Sequence, residues 1–276
     1  VTVPAPSLPD APVALKCACA DLWSHPMAQL LAGPALRPGG RSLTRSLISD
    51  LALSPDAWAL DVGSGTGATL AELAEAGVHG FGVDYSAALA TQAVESGPVA
   101  VGDAELLPYR TDVFDVVFVE CVLSAVPDKP AALRECARVL APGGRLVVTD
   151  VIVRGAFPEP LRTLAAWAAC VGGACSPETY LALLRDAGFA IERADDATAG
   201  LQDLVDQAER RLAMLRGALS VGLLEHAESL VSGELARYGL PVGPDALAAL
   251  AEMLFTQVRG SIDAGDLGYA SFVAVA

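Results

Sequence analysis

The stretch WALDVGSGTG, residues 58–67, constrains this chain more than any other. A short apolar run passes into Gly63, Gly65 and Gly67, and ATLAELAEAG (68–77) then reads as a helix. Glycines at that spacing let the backbone turn sharply and let a ligand approach the main chain closely. The alternation continues: HGFGVDY (79–85) reads as a strand and SAALATQAVES (86–96) as a helix. PVAVGDA (98–104) and VFDVVFVEC (113–121) read as strands, KPAALRECARVL (129–140) as a helix and GRLVVTDVIV (144–153) as a strand. Strands and helices alternating at this length predict a parallel sheet with helices on both faces. Continuous apolar runs such as DVVFV and RLVVT suit strands buried on both sides.

Either side of this stretch the pattern differs. Residues 20–53 are helical in period, with a break at Pro38, Gly39 and Gly40. PETYLALLRDAG (177–188) predicts a helix with Ser176 as N-cap, Pro177 in the first turn and Gly188 past the end. A strand, FAIERAD, follows, and residues 199–264 predict three or so amphipathic helices before an apolar strand, GYASFVAVA (268–276). A strand that resumes after helices marks them as an insertion into the sheet domain. The expected organisation is a leader and N-terminal helical cap over 1–56, an α/β core over 57–198, a helical insertion over 199–266 and a final strand over 267–276. The fold class is α/β, with a doubly wound, mostly parallel sheet.

Charge narrows the partners. The formal net charge is −15, with acids spread along the chain, a field that repels nucleic-acid backbones and anionic lipid. A small-molecule substrate is expected, with neither nucleic acid nor membrane as partner; oligomeric state is not legible. No apolar run approaches bilayer length. The first sixteen residues, with Pro at 4, 6, 9 and 12, lack the regions of a secretion signal and read as a mobile leader on a cytoplasmic protein.

The glycine loop also fits the loose dinucleotide pattern G-x-G-x-x-A through Gly63, Gly65 and Ala68. Asp61 at its start would repel a pyrophosphate, whereas S-adenosylmethionine (SAM) brings an ammonium and a sulfonium and no phosphate. Asp84, after the next strand, can accept from both ribose hydroxyls. Asp103 can accept from an adenine amino group, with the Ala104 N–H beside it. Carboxylates at successive strand ends suit a cationic nucleoside. The plainer alternative has these acids capping helices and these glycines turning the chain.

Together, DVGSGTG, GVD, GDAELLP, FDVV and LAPGGRL resemble the class I SAM-dependent methyltransferases over roughly 58–153, with Phe272–Ala276 as the last strand. The resemblance implies SAM as cofactor. It also implies that Asp61, Gly63, Ser64, Gly65, Gly67, Asp84, Tyr85, Asp103, Ala104 and Glu120 hold it.

Six cysteines, at 17, 19, 121, 136, 170 and 175, show no C-x-x-C or zinc-like spacing. Cys121 closes the fourth strand, on the crevice side of such sheets. Cys170 and Cys175 bracket a Gly-Gly break, and Cys175 precedes a helix N-terminus that favours thiolate. ECVLSAVPDKPAALRECARVLAPGGRL and CVGGACSPETYLALLRDAGF are similar to the arsenite methyltransferases. That similarity implies Cys121 and Cys170 as thiolate ligands of a metalloid substrate, with Cys175 as a further catalytic candidate. Soft thiolates are natural ligands for such an atom. Three features depart from the family: Ser64 stands where a further cysteine is frequent, Cys17-Ala-Cys19 sits in a different context from the family's N-terminal cysteines, and the helical insertion is extra.

The resemblance therefore predicts SAM-dependent methylation of a thiolate-held metalloid or similar soft nucleophile. Three alternatives stay open: an O-, N- or C-methyltransferase of an apolar molecule with packing cysteines, a non-catalytic SAM- or metal-binding regulator, and a nicotinamide-dependent oxidoreductase. Cys136 reads as packing, and Cys17 and Cys19 stay open. His25 reads as turn packing, His79 and His226 as surface, and Trp23 and Trp167 as core filling.

Overall fold

The computed structural model describes residues 12–155, 157, 159–220 and 244–276. Three helices, α1 (Pro12–Ser24), α2 (Pro26–Ala32) and α3 (Gly40–Leu51), precede the sheet. The strands are β1 (Trp58–Val62), β2 (His79–Asp84), β3 (Val99–Val101), β4 (Phe114–Glu120), β5 (Leu140–Val153), β6 (Ala190–Asp196) and β7 (Leu267–Val275). Between them run α4 (Ala68–Glu75), α5 (Ala87–Ala93), α6 (Lys129–Val139), α7 (Leu164–Ala168) and α8 (Pro177–Asp186). Two longer helices, α9 (Thr198–Ser220) and α10 (Pro244–Asp263), lie between β6 and β7.

The seven strands follow the order β3-β2-β1-β4-β5-β7-β6. All pairs from β3 to β5 are parallel, and β7 runs antiparallel to β5 and β6. The order reverses between β1 and β4, the switch point at which open α/β sheets bind ligands beyond the strand ends.

Alternate residues of one strand feed opposite faces. Val117 packs with Leu60, Leu133 and Phe272 on one side, and Phe118 with Ala59, Leu70 and Val273 on the other. A third cluster joins Val151 and Tyr269 at the sheet's far end to Leu201 and Val205 of α9 and Val258 of α10. The two long helices are thus anchored on the sheet domain.

The loop between β1 and α4 shows why glycine is needed. Gly63 has φ +73°, and a Cβ there would collide with the Val122 side chain. Gly67 has φ +86°, with Ala93 backbone atoms 3.1 Å from where a Cβ would stand. Either position would strain any residue that carries a Cβ.

Some expectations shift. The third strand is only Val99–Val101, and the fifth begins at Leu140, ahead of its Pro-Gly-Gly turn. Ser176 caps α8 as expected, its hydroxyl accepting from the Thr179 N–H. The start of the leader (1–11), the middle of the expected insertion (221–243) and His226 lie outside the described residues.

Candidate functional site

A chamber of about 940 Å³, part of it open to solvent, lies at the strand ends around the switch point. Of the expected cofactor residues, Gly63, Ser64, Gly65, Asp84, Tyr85, Asp103, Ala104 and Glu120 line it. Gly67 and Asp61 do not; Gly67 stands at the head of α4, and Asp61 is buried at the end of β1.

Asp84 is fixed by the glycine loop itself. Its Oδ2 accepts from the Gly65 N–H and its Oδ1 from the Ser86 N–H, each at 2.8 Å. Burial raises its pKa, and these two N–H donors oppose the rise. Asp103 is engaged from the cap: Lys16 Nζ of α1 donates to its two oxygens at 3.0 and 2.8 Å. Lys16 also pairs with Glu105. A carboxylate has lone pairs beyond these for an adenine amino group.

Glu120 is buried and accepts from the Thr44 and Thr69 hydroxyls at 2.9 and 2.6 Å. Arg37, also buried, lies 3.0 Å from the same carboxylate. Asp61 feels both. Burial first, then the Glu120 charge, pushes its carboxyl up to about 8, and Arg37 pulls weakly the other way.

Three buried side-chain atoms here lack a partner: Asp61 Oδ2, the Arg37 Nε–H and the Ser64 hydroxyl. Buried polar groups are rarely left so. One unsatisfied acceptor and one unsatisfied donor complement the ammonium and carboxylate of an amino-acid tail. The residues present therefore fit SAM: Arg37 lines the amino-acid end, with Asp61 buried two residues before the glycine loop, Asp84 suits the ribose, and Asp103 with Ala104 suits the adenine.

The other end of the chamber is built from sulfur. Cys19 of α1, Cys121 after β4 and Cys170 after α7 all line it. The Cys121 and Cys19 thiols beside it hold Cys170 well below the usual thiol range, against the effect of its burial. Cys121 and Cys19, as donors to Cys170 in a buried place, are pushed well up. Among the described residues, no group of three or more His, Cys, Asp or Glu is already set out as a metal-ion site.

Cys121 and Cys170 share an uncommon backbone conformation with Leu36, Ala52 and Asp112. Cys121 has φ +59° and Cys170 has φ +62°, a region costing a non-glycine residue roughly 1–2 kcal/mol. Nothing about filling space requires it, and such strain gathers at functional sites. Close packing holds the Cys170 segment, since a Cβ on Gly173 would collide with the Ser124 carbonyl.

Cys175 departs from its expectation. It lines neither this chamber nor the apolar cavity beside it, and its sulfur faces the Gly173 carbonyl at 3.8 Å. Burial raises its pKa despite the nearby Lys129, so desolvation outweighs the helix terminus that suggested a thiolate. Cys136 sits in the core, and Cys17 lies beside the Tyr85 hydroxyl.

Among the lining residues not singled out from sequence for this chamber are Lys16, Trp23 and Arg37. For α1 a signal existed. Lys16, Cys19, Ala20 and Trp23 are spaced i, i+3, i+4 and i+7, one helical face, and all four line the chamber. Arg37 carries no such pattern.

Residues 60–148 match the methyltransferase domain family. Over 141 residues the chain is 39% identical to a demethylmenaquinone methyltransferase of Mycolicibacterium vanbaalenii, covering 48% of this chain and 61% of that one. A Mycobacterium tuberculosis protein of the same name is 38% identical over 144 residues, covering 49% and 61%. The chain thus spans less than two thirds of the length of these curated relatives. Among solved structures, the 4+2 cyclase SpnF superposes with TM-score 0.72 at 24% identity, covering 98% of both chains. A Haemonchus contortus phosphoethanolamine N-methyltransferase in complex with SAM gives 0.71 at 18% identity, over 90% of this chain and 56% of that one. These two likenesses are of fold. Residues 60–148 are a methyltransferase domain by sequence, set in a chain whose described residues have the class I methyltransferase fold.

Proposed function

We propose that this protein transfers a methyl group from SAM to a small molecule whose accepting atom is soft and is held by Cys121 and Cys170, with Cys19 as third ligand. Trivalent arsenic is the acceptor that this set suits best. The observation that supports this reading is that three cysteines from separate elements line the chamber that Asp84, Asp103, Glu120 and Arg37 also line.

When bound, SAM supplies an electrophilic methyl on a sulfonium. The chain's own residues orient and enclose it. Asp84, locked by the Gly65 and Ser86 N–H groups, offers its remaining lone pairs to the ribose hydroxyls. Asp61 and Arg37 hold the amino-acid tail, and α1 covers the chamber with Lys16, Cys19 and Trp23. Arsenous acid condenses with the Cys170 thiolate and the Cys19 and Cys121 thiols. Three As–S bonds form as three As–O bonds break, and two waters and one hydroxide leave with the two thiol protons. Arsenic keeps its lone pair for the methyl, so no separate general base is needed. Proximity, orientation and exclusion of water remain as the protein's work.

A methyl-transfer assay with labelled SAM against arsenite, selenite, thiols and quinols, read by mass spectrometry, tests the proposal. Methylated arsenical is the expected product. Cys121→Ser should leave SAM affinity nearly intact and abolish transfer; unchanged turnover in that variant would reject the thiol role.

A second reading rests on the relatives' name and on the apolar cavity next to the thiols. In it the acceptor is an apolar aromatic such as a quinol, methylated at oxygen or carbon, and the cysteines pack. That enzyme would methylate quinols and keep its activity in Cys121→Ser. A regulator that only binds SAM would yield no S-adenosylhomocysteine with any acceptor in the panel.

A further inference from the structure

Behind the thiols lies a second cavity, of about 1170 Å³ and also partly open to solvent. It is walled by Leu31 of α2, Leu201 and Val205 of α9, and Leu254, Phe255 and Val258 of α10. Among the described residues no charged side chain lines it, and His25 is the one imidazole that does. The His25 Nδ1 already accepts from the Met27 N–H at 3.2 Å. Trp23, Leu36 and Cys121 line this cavity and the cofactor chamber alike. The two spaces therefore share a wall built of Trp23, Leu36 and Cys121.

The construction of the walls matters. Two of them come from α9 and α10, the helices placed between β6 and β7, which the resemblance to arsenite methyltransferases does not explain. An acceptor of one arsenic and three oxygens needs only the thiol end. A cavity of this size lined by aliphatic side chains is matched by an aliphatic or aryl group, and it shares Cys121 with the cofactor chamber while no glycine-loop residue lines it. Ligand sites are commonly apolar cavities of a few hundred to about a thousand Å³ with few polar groups.

Resting on the thiol-capture reading above, we propose that the acceptor is two-part: a soft head held at Cys121 and an aliphatic or aryl body seated between α2, α9 and α10. The helices inserted before β7 then set specificity. Without a body the head binds by its sulfur bonds alone; with one, each buried methylene adds apolar contact.

Two probe series test this, measured by calorimetry on the full chain. The first comprises arsenite and alkylarsonous acids with methyl, butyl and hexyl tails; the second comprises 1-alkanols, which carry a body and no soft head. Burial of about 0.8 kcal/mol per methylene corresponds to roughly fourfold tighter binding for each added carbon, in both series, until the cavity fills. Ala208→Trp on α9 fills the cavity and should flatten both slopes, with SAM affinity reporting that the sheet domain is intact. Ala251→Phe on α10 serves the same purpose where the larger residue prevents folding.

Affinities independent of tail length in the unaltered protein would overturn the proposal, as would slopes that survive both substitutions. So would alkanols that show the slope while arsenicals do not, because the cavity would then be separate from the acceptor atom. Arsenite failing to bind would instead reject thiol capture, and the alkanol series would still decide whether the cavity takes an apolar body.

Discussion

Cys121 and Cys170 place a chemically costly residue at a conformationally costly position. Glycine is favoured over alanine by roughly 1–2 kcal/mol at such backbone angles. Cys121→Gly is therefore expected to unfold at higher denaturant concentration than Cys121→Ala, by about 1 kcal/mol, reversing the usual order. Equal stabilities would mean the backbone relaxes elsewhere. Asp61 gives a second test at this scale. Its pKa is raised from 3.8 to about 8, so between those values the folded protein holds a proton that the unfolded chain has released. Its contribution makes stability fall as pH rises through that window. An ammonium beside it favours the charged form, so SAM binding should release a proton below pH 8 and weaken as pH drops. Asp61→Asn should flatten that dependence; calorimetry in two buffers of different ionisation enthalpy would show it. The carboxylates at strand ends were legible because sequence position fixes where a strand ends. Arg37 and Trp23 were not, because their partners, Glu120 and Cys170, are 83 and 147 positions away by residue number.

α1 is the element that joins the two halves of the chamber. Its Lys16 grips Asp103 and Glu105, its Ser24 meets Ser86 at 2.6 Å, and its Cys19 completes the thiol set. Partly exposed ion pairs contribute about 1 kcal/mol or less. Lys16→Met should thus speed amide exchange in α1 up to about fivefold, with the central strands unchanged, and should weaken arsenite binding through the less firmly held Cys19. Equal exchange in both proteins would show that α1 is held by its apolar contacts alone. The central strands were legible as continuous apolar runs, and their ends differ by only a few residues from expectation. The five-residue α7 was not, since it is too short to show a period; yet it precedes Cys170. The pairing of β7 between β5 and β6 was equally invisible, because register is settled by side chains that sequence leaves unpaired.

At the scale of the molecule, the acidic surface and the anionic rim act together on a cationic carrier. No helix among the described residues is long and apolar enough to cross a membrane. SAM at one hundred times its dissociation constant should stabilise the fold by about 2.7 kcal/mol, raising Tm by roughly 5–10 °C for a chain of this size. NAD at equal concentration should raise it far less, since the carboxyl groups of Asp84, Asp103 and Glu120 that line the chamber disfavour a pyrophosphate. The fold class and the glycine loop follow from local pattern, whereas the thiol trio is a product of packing between α1, β4 and the turn after α7. X-ray absorption at the arsenic edge, on the protein loaded with one equivalent of arsenite in the presence of S-adenosylhomocysteine, tests that trio most directly. Three sulfur neighbours are predicted, falling to two in Cys19→Ser; an oxygen-only shell, or one unaltered by loss of Cys19, Cys121 or Cys170, would contradict the account.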